Sequence, residues 1–189
     1  NFMYLANGLV NMPKIGSQAL VGQSLGANNK KETKNYIEAA FQSSILFALI
    51  YGIIIIVFQK NLIQLFNLKD STIIQDAQNY LWITCGFIIF SFVNQIFTGI
   101  LTAAGHSKST FIATTTGLVL NLILDPVLIF VCNLRVIGAA LATIIAQIIV
   151  TLVFLYDAKK LDLFQEIQLL SKPDKTHISK ILKIGFPPS

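Results

Sequence analysis

The chain has 189 residues, of which 54% are hydrophobic and only 12% charged, with a formal net charge of +5. Soluble domains usually carry about 25% charged residues, so the composition excludes a packed soluble core in favour of a polytopic, all-α membrane protein. The apolar runs are long and do not alternate, which also excludes a closed β-barrel.

Five segments reach the roughly 20 mostly apolar residues that a spanning helix needs: 2–25, 36–58, 80–104, 111–132 and 137–156. The first contains Pro13, where a kink is predicted, followed by Lys14, Gly16, Ser17, Gln18 and Gln23. Lys14 falls near mid-membrane. It either snorkels along a bent helix or faces a cavity, and the cavity is the preferred reading. The polar stretch GANNKKETKN (26–35) leads to the second span.

After that span comes QKNLIQLFNLKDSTIIQDAQN (59–79). Its apolar Leu62, Leu65, Phe66, Ile73, Ile74 and Ala77 predict a short interfacial helix and the start of the third span. Thr84, Ser91, Gln95, Thr98 and Thr102 then recur along one helical face, with Asn94 beside them. Ser and Thr commonly hydrogen-bond between membrane helices. Asn94 and Gln95 are larger, and a water-filled lumen is expected for them.

The fourth span, FIATTTGLVLNLILDPVLIFVC (111–132), contains one acid, Asp125. A carboxylate at that depth costs about 2.5–3.5 kcal/mol on insertion scales. Asn121 lies one turn earlier on the same face. Pro126 lacks an N–H and so frees the carbonyl of Leu122. One acid, one amide and one backbone oxygen therefore converge at membrane depth, as a cation or proton site requires. The alternative is a structural acid paired with a basic residue elsewhere. The fifth span opens with small residues, Gly138, Ala139, Ala140 and Ala142, suited to close helix packing. Thr143, Gln147 and Thr151 then form a second polar stripe.

Counting alternate loops, one side holds Lys30, Lys31, Lys34, Lys108, Lys159, Lys160, Lys172, Lys175, Lys180 and Lys183, and the other only Lys60, Lys69 and Arg135. The positive-inside rule places 26–35, 105–109 and 157–183 in the cytoplasm. Residues 1–157 are expected to be transmembrane helices. Residues 158–180, with Leu161, Phe164, Ile167 and Leu170 at spacings of three, are expected to form an amphipathic linker on the membrane surface. Residues 181–189 begin a further span. The chain does not start with Met and opens within a helix, so it is expected to be part of a longer protein.

Cys85 and Cys132 sit in apolar runs and are read as packing residues. His106 and His177 fall in cytoplasmic loops and receive no role. No phosphate-binding loop, nucleophile elbow, zinc motif or dinucleotide loop occurs. An enzyme, a cofactor and a nucleic-acid partner are accordingly not expected.

Six blocks, in order, carry a family resemblance: ALVGQSLGANNKKETKNY (19–36), LFNLKDSTIIQDAQNYLWI (65–83), GILTAAGHSKSTF (99–111), NLILDPVLIF (121–130), IGAALATIIAQ (137–147) and KILKIGFPPS (180–189). With these the chain resembles the multidrug and toxic compound extrusion (MATE) transporters over nearly its whole length. The resemblance implies twelve helices in two lobes around a cleft, with this chain supplying helices two to six and the linker. It implies a monomeric, multi-pass plasma-membrane antiporter that exports cationic or amphipathic drugs in exchange for Na⁺ or H⁺. The ion site it implies falls on Asn121, Asp125 and Thr143, with a further Asp upstream of residue 1. Gln95, Thr98, Asn94, Gln147 and Lys14 are then candidates for the substrate cavity, although Lys14 departs from the family pattern. A lipid-linked precursor flippase of the same superfamily is the alternative. It would want a more cationic cavity than Lys14 alone provides.

Overall fold

The computed structural model describes residues 2–65, 71–161, 164 and 174–185, with little side-chain detail for 2–10 and 58–87. Its elements are α1 (Phe2–Gly26), α2 (Lys30–Leu65), α3 (Ser71–Ala103), α4 (Ser107–Pro126), a π-helical turn (Val127–Val131), α5 (Arg135–Lys160) and α6 (Lys175–Gly185). The five long helices α1–α5 correspond to the five expected spans. Among the described residues, Lys30–Val57, Ser107–Val131 and Ile137–Lys160 are long and apolar enough to cross a membrane, and Ile88–Ala103 is a shorter apolar stretch.

The expected interfacial helix within 59–79 is not a separate element. The 36 residues of α2 continue through Leu65, and α3 starts at Ser71. At 1.5 Å rise per residue α2 is about 54 Å long, well beyond the ~30 Å hydrocarbon core. Residues 59–65 and 71–79 of the polar stretch thus continue α2 and begin α3. Its Phe66 and Lys69 lie outside the described residues.

The turns that connect α1 to α2 and α3 to α4 share one chemistry. Asn28 (φ 54°) and Gly105 (φ 81°) are left-handed. In each turn the next N–H bonds five residues back, Asn29 to Ser24 at 3.0 Å and His106 to Leu101 at 2.8 Å. These pairings satisfy helix-end carbonyls that would otherwise lack partners. The Asn29 side chain then caps α2 by accepting from the N–H of Glu32 at 3.2 Å.

Apolar residues cover both sides of α2, but their shapes differ. Tyr36, Ile37, Ala40, Phe41, Ala48, Tyr51 and Ile55 are buried, whereas Leu46, Leu49, Ile50, Ile53, Ile54 and Val57 are exposed. Lipid tails are as apolar as these side chains, so packing rather than hydrophobicity selects the inner face. At the centre, Phe97 of α3 meets Phe41 of α2 edge-on at 4.9 Å and stacks on Phe154 of α5 at 5.5 Å. Phe164, beyond α5, approaches the same ring at 5.7 Å. Such pairs contribute about 0.5–1.5 kcal/mol each beyond the area they bury.

Of the expected linker, Leu161 and Phe164 pack against the bundle core; Ile167 and Leu170 are outside the described residues. The expected boundary between linker and next span, at 180/181, falls inside α6. That helix buries His177, Ile181 and Gly185, one residue per turn, against α1 and α2. A methyl group at Gly16 would overlap the Ile181 carbonyl, and one at Gly185 would overlap the Met12 carbonyl. The pairing of 181 with 16 and 185 with 12 makes α6 antiparallel to α1.

Candidate functional site

Asn121 and Asp125 sit one turn apart on α4. Each presents a buried Oδ1 with no hydrogen-bond partner among the described residues. A buried polar group left unpaired costs about 1–3 kcal/mol, more if charged. Two such oxygens on one face are a donor set for a hard cation, which prefers oxygen ligands, or for a proton. The sequence-based pairing of these residues thus coincides with two unsatisfied atoms.

Thr143 is placed differently. Its hydroxyl donates to the Ala139 carbonyl on its own helix at 3.0 Å. The described contacts hold it on α5, which packs against α4, and do not bond it to Asn121 or Asp125.

The backbone changes character immediately after the acid. Pro126 cannot donate to Leu122, and residues Val127–Val131 adopt a π-helical turn. Within it the Cys132 N–H bonds Val127 O at 2.9 Å and the Leu134 N–H bonds Leu128 O at 3.1 Å. Turns of this kind are locally wider and commonly mark functional positions. This one is braced by α5. A methyl at Gly138 would lie 2.7 Å from both the carbonyl carbon and oxygen of Leu128. Beyond the π turn two residues are left-handed, Asn133 (φ 54°) in the loop and Arg135 (φ 50°) at the start of α5.

The polar stripes resolve into two groups. Asn94 is buried. It donates to the Gln147 side chain at 2.7 Å and to the Gln147 carbonyl at 3.0 Å. Thr151 in turn donates to Asn94 Oδ1 at 2.9 Å and lies 2.8 Å from Gln147 O. Asn94 and Gln147 therefore join α3 to α5, a correction to the expectation that Asn94 faces a lumen. The reason is mutual pairing: the Asn94 amide donates to Gln147 and accepts from the Thr151 hydroxyl. Replacing Asn94 with Leu is expected to lower the stability of the full-length protein by about 0.6–2 kcal/mol, the range for interhelical hydrogen bonds in membranes. A thermal-unfolding measurement in detergent checks this, and an unchanged midpoint contradicts it.

Thr98 and Thr102 donate to carbonyls one turn back, at 2.9 and 2.6 Å. The Thr84 side chain lies outside the described residues. Lys14 and Gln95 form the second group. The half-buried ammonium donates to Gln95 Oε1 at 2.8 Å. Lys14 thus reaches across to α3 at the middle of α1 and does not extend to a helix end. Pro13, its neighbour, is buried within α1.

One cluster was missed from the sequence. His177 Nδ1 is 2.6 Å from Asp174 Oδ2, and its Nε2 is 3.1 Å from Glu32 Oε2. Asp174 also caps α6, accepting from the Thr176 N–H at 2.9 Å. The Asp174–His177 spacing at a helix start was a legible signal. The Glu32 contact, 145 residues away, was not.

Fold and site together define a multi-pass, all-helical membrane protein with an acidic, oxygen-lined position inside one helix. The MatE family model matches residues 4–127. The chain belongs to that family, whose members are transporters and not enzymes. It is 30% identical to the multidrug export protein MepA of Staphylococcus aureus (strain bovine RF122 / ET3-1) over 184 residues, which is 95% of this chain and 40% of the relative. It is likewise 30% identical to MepA of Staphylococcus saprophyticus over 189 residues, again 95% and 40%. The chain thus spans about two fifths of the length of these relatives. Among solved structures, it resembles an inward-facing multidrug-resistance MATE transporter with a TM-score of 0.85 at 23% identity, covering 94% of this chain and 41% of that one. It resembles an outward-facing one with a TM-score of 0.83 at 22% identity, covering 97% and 42%.

Proposed function

We propose that this chain is the N-terminal-lobe part of a secondary active exporter of the plasma membrane. In this reading, cationic or amphipathic organic compounds leave the cell in exchange for inward-moving Na⁺ or H⁺. The observation that carries it is the pair of buried oxygens of Asn121 and Asp125, without hydrogen-bond partners among the described residues, placed directly before Pro126 and the π turn. Membership in the MatE family and the multidrug-export names of its relatives support the substrate class.

The mechanism follows from desolvation. A charge at membrane depth is costly, and a Na⁺ or a proton bound at Asp125 offsets that cost. Asn121 adds a neutral oxygen. Thr143, on the adjoining helix, keeps free lone pairs to add another once α5 shifts toward the ion. Because the turn after Pro126 lacks a regular hydrogen-bond ladder, α4 bends there most easily. Bending reshapes the cavity lined by Lys14, Gln95 and Thr98, and substrate release is thereby exchanged for ion uptake. The lobe's likeness to both inward- and outward-facing structures fits rocking of a preformed unit.

The flippase alternative is weaker. It requires several cations in the cavity, and Lys14, bonded to a neutral amide, is the one described at mid-span. The decisive experiment is drug efflux by the full-length protein in vesicles under separately imposed Na⁺ and proton gradients. Export driven by either gradient supports the proposal and names the ion. Export driven by neither, with transport of lipid-linked pyrophosphates in its place, favours the flippase.

A further inference from the structure

The Glu32–His177–Asp174 cluster has no part in the export scheme, yet its geometry sets a strict requirement on protons. A neutral imidazole has one donor nitrogen and one acceptor nitrogen, and an ionised carboxylate only accepts. Both ring nitrogens of His177 face carboxylate oxygens, at 2.6 and 3.1 Å. Only the doubly protonated ring donates to both. With a single proton, one carboxylate oxygen faces a bare nitrogen lone pair. The His177 side chain is only 11% exposed, and the two carboxylates, 41% and 51% exposed, reach it from the surface.

The two carboxylates come from different parts of the chain. Asp174 immediately precedes α6, and Glu32 lies in the first turn of α2. The ring thus fastens α6 to the α1–α2 end of the bundle, with Tyr36 of α2 packed edge-on at 4.9 Å. We propose that His177 is a proton-operated latch at the lysine-rich, cytoplasmic end, holding α6 against α1 and α2 when its ring carries two protons and loosening it when it carries one.

The surrounding charges are consistent with this role. From α2, Glu32 and Tyr36 face the ring, and Lys30 and Lys31 in the same first turn are exposed, with Lys34 and Glu38 in the next turns. From α6 and its approach, Asp174 faces it, and Lys175, Lys180 and Lys183 are exposed. Lys14, the titratable side chain described on α1, is bonded to Gln95. The close contacts of Gly16 with Ile181 and Gly185 with Met12 set the register of α6 without responding to pH. The Asp174 carboxyl is held below the usual carboxylate range, first by its hydrogen bond to His177 and then by the Thr176 N–H. A depressed carboxyl stays ionised until the pH falls through its lowered value, so the Asp174 arm persists on the acid side. Loosening comes when the ring holds a single proton.

The test uses full-length protein with every native cysteine, Cys85 and Cys132 included, replaced by Ser and spin labels at Lys31→Cys and Lys180→Cys, both exposed positions. Pulsed electron–electron resonance distances are measured from about pH 5.5 to about pH 8.5, either side of ordinary histidine titration. The expected result is one narrow distance at the acid end that broadens and lengthens toward the alkaline end. In Glu32→Gln an amide donor meets the singly protonated ring, so the narrow distance is expected at every pH. In His177→Gln the distribution is expected to be independent of pH. A distribution that does not change with pH in the labelled parent overturns the latch. So does a pH-dependent shift that survives in Glu32→Gln or His177→Gln. No step of the measurement depends on export.

Discussion

Asp125→Asn in the full-length protein is expected to abolish gradient-driven export while leaving a folded, inserted protein. The substitution keeps shape and Oδ1 and removes the charge. Insertion does not suffer, because an acid in a span is itself unfavourable by about 2.5–3.5 kcal/mol. Coupling does suffer. Coupling free energies of ~1–3 kcal/mol correspond to about 5–150-fold changes in affinity, so gradient-driven efflux is expected to fall by at least that lower factor. A second readout separates coupling from damage. The coupling ion should raise the thermal midpoint of the parent protein, by the equivalent of about 2.7 kcal/mol at a hundred times its dissociation constant. Asp125→Asn should lose that increase. Parental efflux together with a preserved ion-dependent midpoint would remove Asp125 from the coupling role.

Gly138→Ala is expected to destabilise the protein and impair export together. The added methyl would lie 2.7 Å from the carbonyl carbon and oxygen of Leu128. That contact is with backbone, so no rotamer change relieves it. Forcing such a group into a packed contact costs about 1–3 kcal/mol. Each kcal/mol lowers the midpoint by about 2–4 °C for 150–250 residues and by less for a longer protein. The Leu128 backbone belongs to the π turn that follows Asp125 and Pro126, so the strain is delivered where α4 is expected to bend. An unaltered midpoint in Gly138→Ala would show that α5 does not brace this turn.

These two positions differ in how visible they were in the sequence. Asp125 was conspicuous, because an acid in an apolar span is costly wherever its helix packs. Gly138 was legible as one of several small residues, but its contact with a π turn was not. The same contrast runs through the polar stripes. Periodicity placed Asn94 and Gln147 on their helices, and both were assigned to a cavity. Only the approach of α3 to α5 showed that the two amides satisfy each other and Thr151. Lys14 was recognised as an internal cation, but its partner Gln95, 81 residues away, came from the packing of α1 on α3.

By itself the sequence determined the membrane class, five long helices and the helix that carries the acid. All of these depend on local quantities: span length and the cost of one carboxylate in lipid. The tertiary structure decided which apolar faces turn inward, because lipid and core are equally apolar and only shape distinguishes them. It also decided that α6 docks against α1, that residues 59–65 and 71–79 belong to two long helices, and that His177 bridges two acids. Each of these depends on groups distant in sequence, and no local pattern records how helices lie against one another.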